Sequence, residues 1–406
     1  MKIDTTTAEP ATDTLASAAD TGTAATVPAS TAGTAKSREK PARQVGYAVI
    51  GLGHIAQVAV LPGFANARNA RIAALVSGDR KKLQTLGKRY DVPGQFMYDQ
   101  FDECLAAPDV DAVYVALPND LHCDCVVRAA EAGKHILCEK PLALNARQAR
   151  LMMDAAAANG VKLMTAYRLH FEAANLATIE LIQSGKLGEP RYFNSSFSYQ
   201  VTDPDNIRLS YARGGGPIYD IGIYCLNAAR YLMRDEPIEV SAMLARSDDK
   251  RFDEVEETAA VLLRFPEGRL AMFMVSFGAA DAARYEFVGT KGRVILEPAY
   301  EYSEELRQCV TIEGKTEEKT FPRNDQFGGE IEAFSDCILK NKQPEASGLE
   351  GFADLRVIDA IFRSDATGRT IRLPRLAKPR RPDQRQKKTK RAVKKPQVVK
   401  VDAPHD

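Results

Sequence analysis

Three short stretches of this chain hold the residue types needed to move a hydride and a proton together. The first is Gly51-Leu52-Gly53-His54-Ile55-Ala56, which fits a G-x-G-x-x-G/A turn between a strand and a helix. Its first glycine makes the tight turn, its second lets backbone approach a pyrophosphate, and Ala56 keeps helix and strand close. His54 and Ile55 open the helix, whose positive end faces the phosphates. The second stretch is Glu139-Lys140-Pro141, a lysine just past a later strand. A lysine there can polarise a substrate oxygen and favour the ionised form of a neighbouring hydroxyl. The third is Asp220-Ile221-Gly222-Ile223-Tyr224, whose i, i+4 spacing puts Asp220 and Tyr224 on one helix face. A free phenol ionises at about 10 and is a poor base at neutral pH, so a tyrosine that moves a proton needs such a lysine close by.

Further candidates lie where a parallel sheet would set them around a dinucleotide. Ser77 ends the second strand, at the position where an acid would accept from the 2′-hydroxyl of NAD. A serine followed by Arg80 and Lys82 suits the 2′-phosphate of NADP instead, because a carboxylate would repel it. NADP is therefore the expected cofactor and NAD the lesser alternative, with Asp79, two residues late, expected to face solvent. Leu117-Pro118-Asn119-Asp120-Leu121-His122 follows another strand at its carboxyl end, where open α/β sheets bind ligands. Asn119 is a candidate cofactor contact beside Pro118, and His122 is either a further contact or a helix cap.

The elements that must hold these residues are visible in the apolar pattern. Strands at 45–50, 71–76, 111–117, 134–138 and 162–166 alternate with helices, including 121–132 and 146–159. That order implies a parallel sheet with right-handed crossovers. Near 190 it gives way to consecutive strands at 191–199, 239–245, 258–265, 270–277, 283–288, 293–297 and 309–312, with tight turns between them. These imply a largely antiparallel open sheet, with helices at 172–183, 218–232, 327–340 and 349–364 over one face. The expected fold class is α/β, with a doubly wound Rossmann domain over 45–168 and an α+β substrate-binding and oligomerisation domain over 169–374. Leu262 and Met272-Phe273-Met274 put apolar groups on both faces of the second sheet, so a second subunit or a covering helix is expected there.

Composition bounds the rest. A chain of 406 residues, 45% hydrophobic, is long enough for two cores. A net charge of +1 conceals a split, since 375–400 carries twelve Lys/Arg against Asp383 alone and the remainder is net acidic. The Ala/Thr/Ser-rich segment 1–44 and the basic tail 375–406 are both expected to be disordered. The tail is expected to be dispensable for turnover and to contact polyanions only nonspecifically. No stretch of the sequence approaches the roughly 18–20 apolar residues of a membrane span, and the N-terminal residues lack an apolar leader, so a cytoplasmic protein is expected. Seven scattered cysteines, with no CxxC pair and no His-rich cluster, fit free thiols and give no metal site.

Taken in order, the glycine turn, Glu139-Lys140-Pro141 and the Asp220–Tyr224 pair resemble the Gfo/Idh/MocA oxidoreductases. Over roughly 45–373 the resemblance is to the glucose–fructose oxidoreductase branch, which has tyrosine, in the same D-I-G-I-Y context, where many relatives have histidine. The resemblance implies that Pro118, Asn119 and His122 match a P-N-x-x-H segment beside the nicotinamide ribose. It implies that Glu139 and Lys140 form the family's E-K-P motif at the cofactor. Tyr167-Arg168-Leu169-His170 resembles a Y-R-x-H segment, with Arg168 near the cofactor and Tyr167 and His170 near the substrate. The activity implied is NADP-dependent hydride transfer at C1 or a carbonyl carbon of a sugar, with Lys140, Tyr224 and Asp220 catalytic and touching substrate. An inositol or polyol dehydrogenase is one alternative, and a non-catalytic NADP-binding sensor with a polyanion-binding tail is another. A homodimer or homotetramer through the C-terminal sheet is expected.

Overall fold

β1 (Val45–Ile50) is apolar and buried along its whole length, as a strand covered on both faces must be. It pairs in parallel with β2 (Ala70–Val76) on one side and with β4 (Ala112–Val115) on the other. β3 (Gly94–Phe96) lies outside β2, and β5 (His135–Glu139) and β6 (Leu163–Ala166) extend the sheet beyond β4. The order β3-β2-β1-β4-β5-β6, parallel throughout, is the doubly wound dinucleotide arrangement. Its direction reverses between β1 and β4, and a crevice opens there at the carboxyl ends. This computed structural model describes residues 43–401 and 403, so the expectation for 1–44 falls almost wholly outside the described residues.

The second sheet has nine strands: β7 (Pro190–Ser198), β8 (Glu239–Ala245), β9 (Thr258–Arg264), β10 (Leu270–Ser276), β11 (Ala282–Gly289), β12 (Gly292–Leu296), β13 (Leu306–Ile312), β14 (Lys315–Phe321) and β15 (Ile371–Arg372). They run in the order β14-β13-β12-β11-β7-β10-β9-β8-β15. Every neighbouring pair is antiparallel except β7 with β10. Along β10 the side chains alternate, with Ala271, Phe273 and Val275 buried under helix Ile223–Met233 and Leu270, Met272 and Met274 exposed. Sequence pattern passed over β14, because Lys-Thr-Glu-Glu-Lys-Thr-Phe has no apolar alternation and is a strand only through its full-length pairing with β13. β3 was missed because three residues are too few to show a period.

The tail departs from expectation. Residues 375–401 lie along the body instead of projecting as a disordered chain. The Lys378 ammonium, with a side chain 3% exposed, pairs with Glu345 at 3.0 Å and with Glu350. Arg381 pairs with Glu236 at 2.9 Å, and Lys388 and Lys390 both pair with Glu332. Composition suggested disorder because it counts like charges within the segment. The decisive charges are the carboxylates that the acidic body holds opposite it. Among the described residues no helix is long and apolar enough to cross a membrane.

Candidate active site

The crevice between β1 and β4 opens into a cavity of about 920 Å³. Gly51 has φ 92°, and a Cβ there would lie 2.5 Å from the Ala116 carbonyl oxygen beyond β4, so this turn requires glycine. At Gly53 nothing lies within 4 Å of where a Cβ would stand, which leaves backbone bare towards the cavity, as a pyrophosphate site needs. His54 and Ile55 line the cavity beside it. Ser77, buried at the end of β2, and Lys82 line it further out. The Asp79 carboxylate is committed elsewhere, since it caps helix Arg80–Tyr90 by accepting from the backbone of Lys81 and Lys82 at 2.8 and 3.1 Å. It also accepts from Lys400 at 2.7 Å, the chief reason its carboxyl is held at about 2. These residues fit a dinucleotide whose ribose meets serine and cations rather than an acid.

Across the cavity, the three residues expected to do the chemistry come together. The Lys140 ammonium donates to the Asp220 carbonyl oxygen at 2.8 Å and to its Oδ1 at 3.0 Å. The same nitrogen stands 4.7 Å from the centre of the Tyr224 ring. Asp220 Oδ2 accepts from the Tyr199 hydroxyl at 2.5 Å and from Arg208 Nε at 2.9 Å. Burial acts to raise the Asp220 carboxyl, but Lys140 and Arg208 outweigh it and hold the group well below the usual carboxylate range. Burial likewise acts to lower Lys140, and Asp220 and Tyr224 overcome it, so its ammonium is held above the ordinary value. Both groups are therefore charged at neutral pH, which suits Asp220 to fixing the lysine and not to accepting a proton. Arg168 donates to the Tyr224 hydroxyl at 3.3 Å while held by Gln326 and by the Tyr300 carbonyl at 2.6 Å. A phenolate formed at Tyr224 would thus meet two cations, one over the ring and one at the oxygen.

Pro118, Asn119, Glu139 and Arg168 also line the cavity, and Asn119 Nδ2 donates to the Gly214 carbonyl at 2.8 Å, tying the two domains at its rim. Four expected contacts lie elsewhere. His122 is buried with its ring nitrogens 2.9 Å from the Pro141 and Leu117 carbonyls, so it braces the two loops that carry Lys140 and Asn119. Arg80 is exposed at the first turn of its helix and does not line the cavity. Tyr167 donates to Asp354, and His170 sits between Glu345 at 2.7 Å and Asn227 at 2.8 Å. Both belong to a buried network centred on Arg230, whose carboxylates draw them away from the cavity. Sequence reasoning missed Tyr199, Arg208 and Gln326. Their only signal is polarity, at a strand end for Tyr199, in a short helical turn for Arg208 and at a helix start for Gln326, and long-range folding alone brings them to Asp220 and Arg168.

Comparison with known proteins agrees with this geometry. Residues 45–167 match the model of an oxidoreductase family with an NAD-binding Rossmann fold, and residues 176–295 match a GFO/IDH/MocA C-terminal domain. The D-xylose 1-dehydrogenase [NADP(+)] of Haloarcula marismortui is 32% identical over 335 residues, which is 81% of this chain and 93% of that protein. The chain belongs to the Gfo/Idh/MocA oxidoreductase family. It is an NAD(P)-dependent oxidoreductase. The aldose–aldose oxidoreductase of Caulobacter crescentus, solved with glycerol, has 40% identity and a TM-score of 0.79, covering 82% of this chain and all of that one. A 3-ketoreductase of Actinomadura kijaniata, solved with NADP and TDP-benzene, has 26% identity and a TM-score of 0.72, covering 79% and 98% respectively.

In this Gfo/Idh/MocA enzyme the helical turn Ile218–Gly222, which carries Asp220, rests on a buried acid. Glu256 Oε1 accepts from the Ile218 backbone at 3.1 Å, and burial lifts its carboxyl to about 7. The folded state thus keeps a proton that the unfolded chain releases above about 4.5, so stability falls as pH rises from there through about 7. Glu256→Gln keeps the acceptor and removes the titration. The variant should match wild type at about pH 5 and be more stable by on the order of 1–3 kcal/mol at about pH 8. Thermal melts at both pH values measure this, and equal wild-type and variant stabilities at the higher pH would remove Glu256 from the pH dependence.

Proposed function

We propose that this protein is an NADP-dependent sugar oxidoreductase of the glucose–fructose oxidoreductase-like kind, acting at C1 of a cyclic aldose or, in reverse, at a sugar carbonyl. The observation that carries the proposal is the Lys140–Asp220–Tyr224–Arg168 group facing the glycine turn across one cavity. A bound nicotinamide supplies the hydride acceptor or donor. In the oxidising direction Tyr224 takes the proton of the C1 hydroxyl as the C1 hydrogen leaves with its electron pair, and a lactone results. Lys140 and Arg168 stabilise the tyrosine oxygen in its charged form, and Asp220, itself a permanent carboxylate, holds Lys140 in place. Phe197, Tyr199 and Tyr300 supply apolar walls for the faces of a sugar ring. The aldose and xylose activities named for the similar proteins support the substrate class.

Incubating the enzyme with aldoses and polyols, each with NADP and NAD, and identifying products by NMR tests this reading. Lactone formation with NADP is expected. Oxidation of cyclic polyols alone would move the assignment to an inositol-type dehydrogenase.

NADP preference rests on Ser77 and Lys82 at the end of β2, with Asp79 occupied by its cap and by Lys400. Ser77→Asp should shift the ratio of Kd values towards NAD by roughly tenfold or more, by adding a 2′-hydroxyl acceptor that repels phosphate. Isothermal titration of both cofactors decides it, and an unchanged ratio would place discrimination elsewhere.

The exposed Met243, Leu262, Met272 and Met274 form an apolar stripe across β8, β9 and β10, which no helix covers among the described residues. A second copy of the chain is the proposed cover, which makes a homodimer or homotetramer. The seven unpaired cysteines support a reducing, cytoplasmic setting.

A further inference from the structure

The tail does more than pack. After its buried ion pairs it leaves the second domain and crosses the first. An isolated bridge joins Arg391 to Asn324, and the Arg391 carbonyl accepts from Asn66 at 2.8 Å. The Val393 carbonyl accepts from Arg323 at 2.9 Å, and the Gln397 carbonyl from Arg89 at 2.6 Å. At Val399 the contact is two-pronged: its N–H donates to Gln57 Oε1 at 2.7 Å and its carbonyl accepts from Gln57 Nε2 at 3.0 Å. Gln57 is fully buried in the helix that follows the glycine turn, and its amide also donates to the Leu52 carbonyl of that turn at 2.9 Å. A buried amide that spends one edge on the turn and both its groups on the tail fixes the tail relative to the phosphate site. One residue further, Lys400 reaches Asp79 at 2.7 Å, two positions past Ser77. Val393, Lys395, Val401 and Ala403 line the same cavity as Gly53, Ser77 and Lys82.

We propose that residues 393–401 form a strap that completes the cofactor site, with Lys395 and Lys400 as further binding residues for the phosphates of a 2′-phosphorylated dinucleotide. The inference rests on the NADP reading above and adds to it a binding element from the other end of the chain. The tail's cationic character then has a specific partner. It faces the anionic ligand of its own protein, where ammonium groups near the crevice strengthen charge-assisted contacts to phosphate. Because the strap is hydrogen-bonded to both the glycine-turn helix and the start of the next helix, the dinucleotide can leave only when these bonds open. The release of cofactor is thereby made slow relative to a site walled by the Rossmann domain alone.

Two variants test this. A chain ending at Ala392 keeps the Lys378, Arg381, Lys388 and Lys390 ion pairs and removes only the strap. The full-length Lys395→Gln/Lys400→Gln double variant keeps the strap and removes the two ammonium groups proposed to meet phosphate. NADPH release is followed by the loss of its bound fluorescence on mixing with excess NADP, and NADPH and NADH affinities are measured by titration. The truncated chain should release NADPH roughly tenfold faster or more, and the double variant should weaken NADPH roughly tenfold while changing NADH much less. Circular dichroism melts report that each variant is folded. NADPH release within about twofold of wild type in both variants would overturn the strap. A wild-type protein that binds NADH but not NADPH would instead overturn the cofactor reading on which it rests.

Discussion

Tyr224→Phe should lower turnover by on the order of 10²–10⁴ while leaving NADP affinity within about twofold of wild type. The ring of Tyr224 packs against Phe197 and Tyr300, and phenylalanine preserves those contacts. What it removes is the hydroxyl that accepts from Arg168 at 3.3 Å, the one group in the constellation placed to take a substrate proton without already being committed to an ion pair. Asp220 cannot substitute, since Lys140 and Arg208 hold it as a carboxylate with its oxygens engaged. Cofactor affinity should be spared because the glycine turn, the proposed phosphate site, belongs to the other domain and not to the helix Ile223–Met233. Single-turnover kinetics separate hydride transfer from release, and a variant with near-normal single-turnover rate would take Tyr224 out of the proton path.

Arg230→Met should destabilise the fold by about 3–5 kcal/mol, the cost of leaving buried carboxylates without their cation. Arg230 is wholly buried, and its guanidinium donates to Glu236 at 2.7 and 3.0 Å, to Glu350 at 2.9 Å and to Asp354 at 2.6 Å. Asp354 also accepts from Asn227 at 2.9 Å and from Tyr167, while Glu350 and Glu236 are the anchors of Lys378 and Arg381 in the tail. Removing one cation therefore loosens the junction between the domains and the start of the tail together. The midpoint of urea unfolding should fall accordingly, and trypsin should cut the tail faster in the folded variant. A midpoint close to wild type would mean that water or protonation relieves these acids at little cost, and the network would then be an accessory to the fold.

The two sheets and the candidates Lys140, Asp220 and Tyr224 that the fold brings together were legible in the sequence because each depends on local pattern. A fully apolar Val45–Ile50, a glycine turn and a following helix specify a nucleotide crevice within a few residues, and Asp220 with Tyr224 share a face by helical spacing alone. Lys140 could be matched to them because its loop follows a parallel strand, whose carboxyl end must open into that crevice. Partners distant in sequence were not legible. That Asp220 is a fixed anion depends on Tyr199 and Arg208, and that Tyr224 has a cation at its oxygen depends on Arg168 held by Gln326. Tyr167 and His170 look like site residues in a motif, yet acids 175 and more positions away draw them into the Arg230 network. The tail shows the same division most clearly. Its charge was countable from composition, but whether those charges repel one another in solvent or meet Glu345, Glu236, Glu332 and Asp79 is decided by where the folded body presents its carboxylates. Electrostatic energy depends on distance in space, and only the tertiary structure supplies that distance.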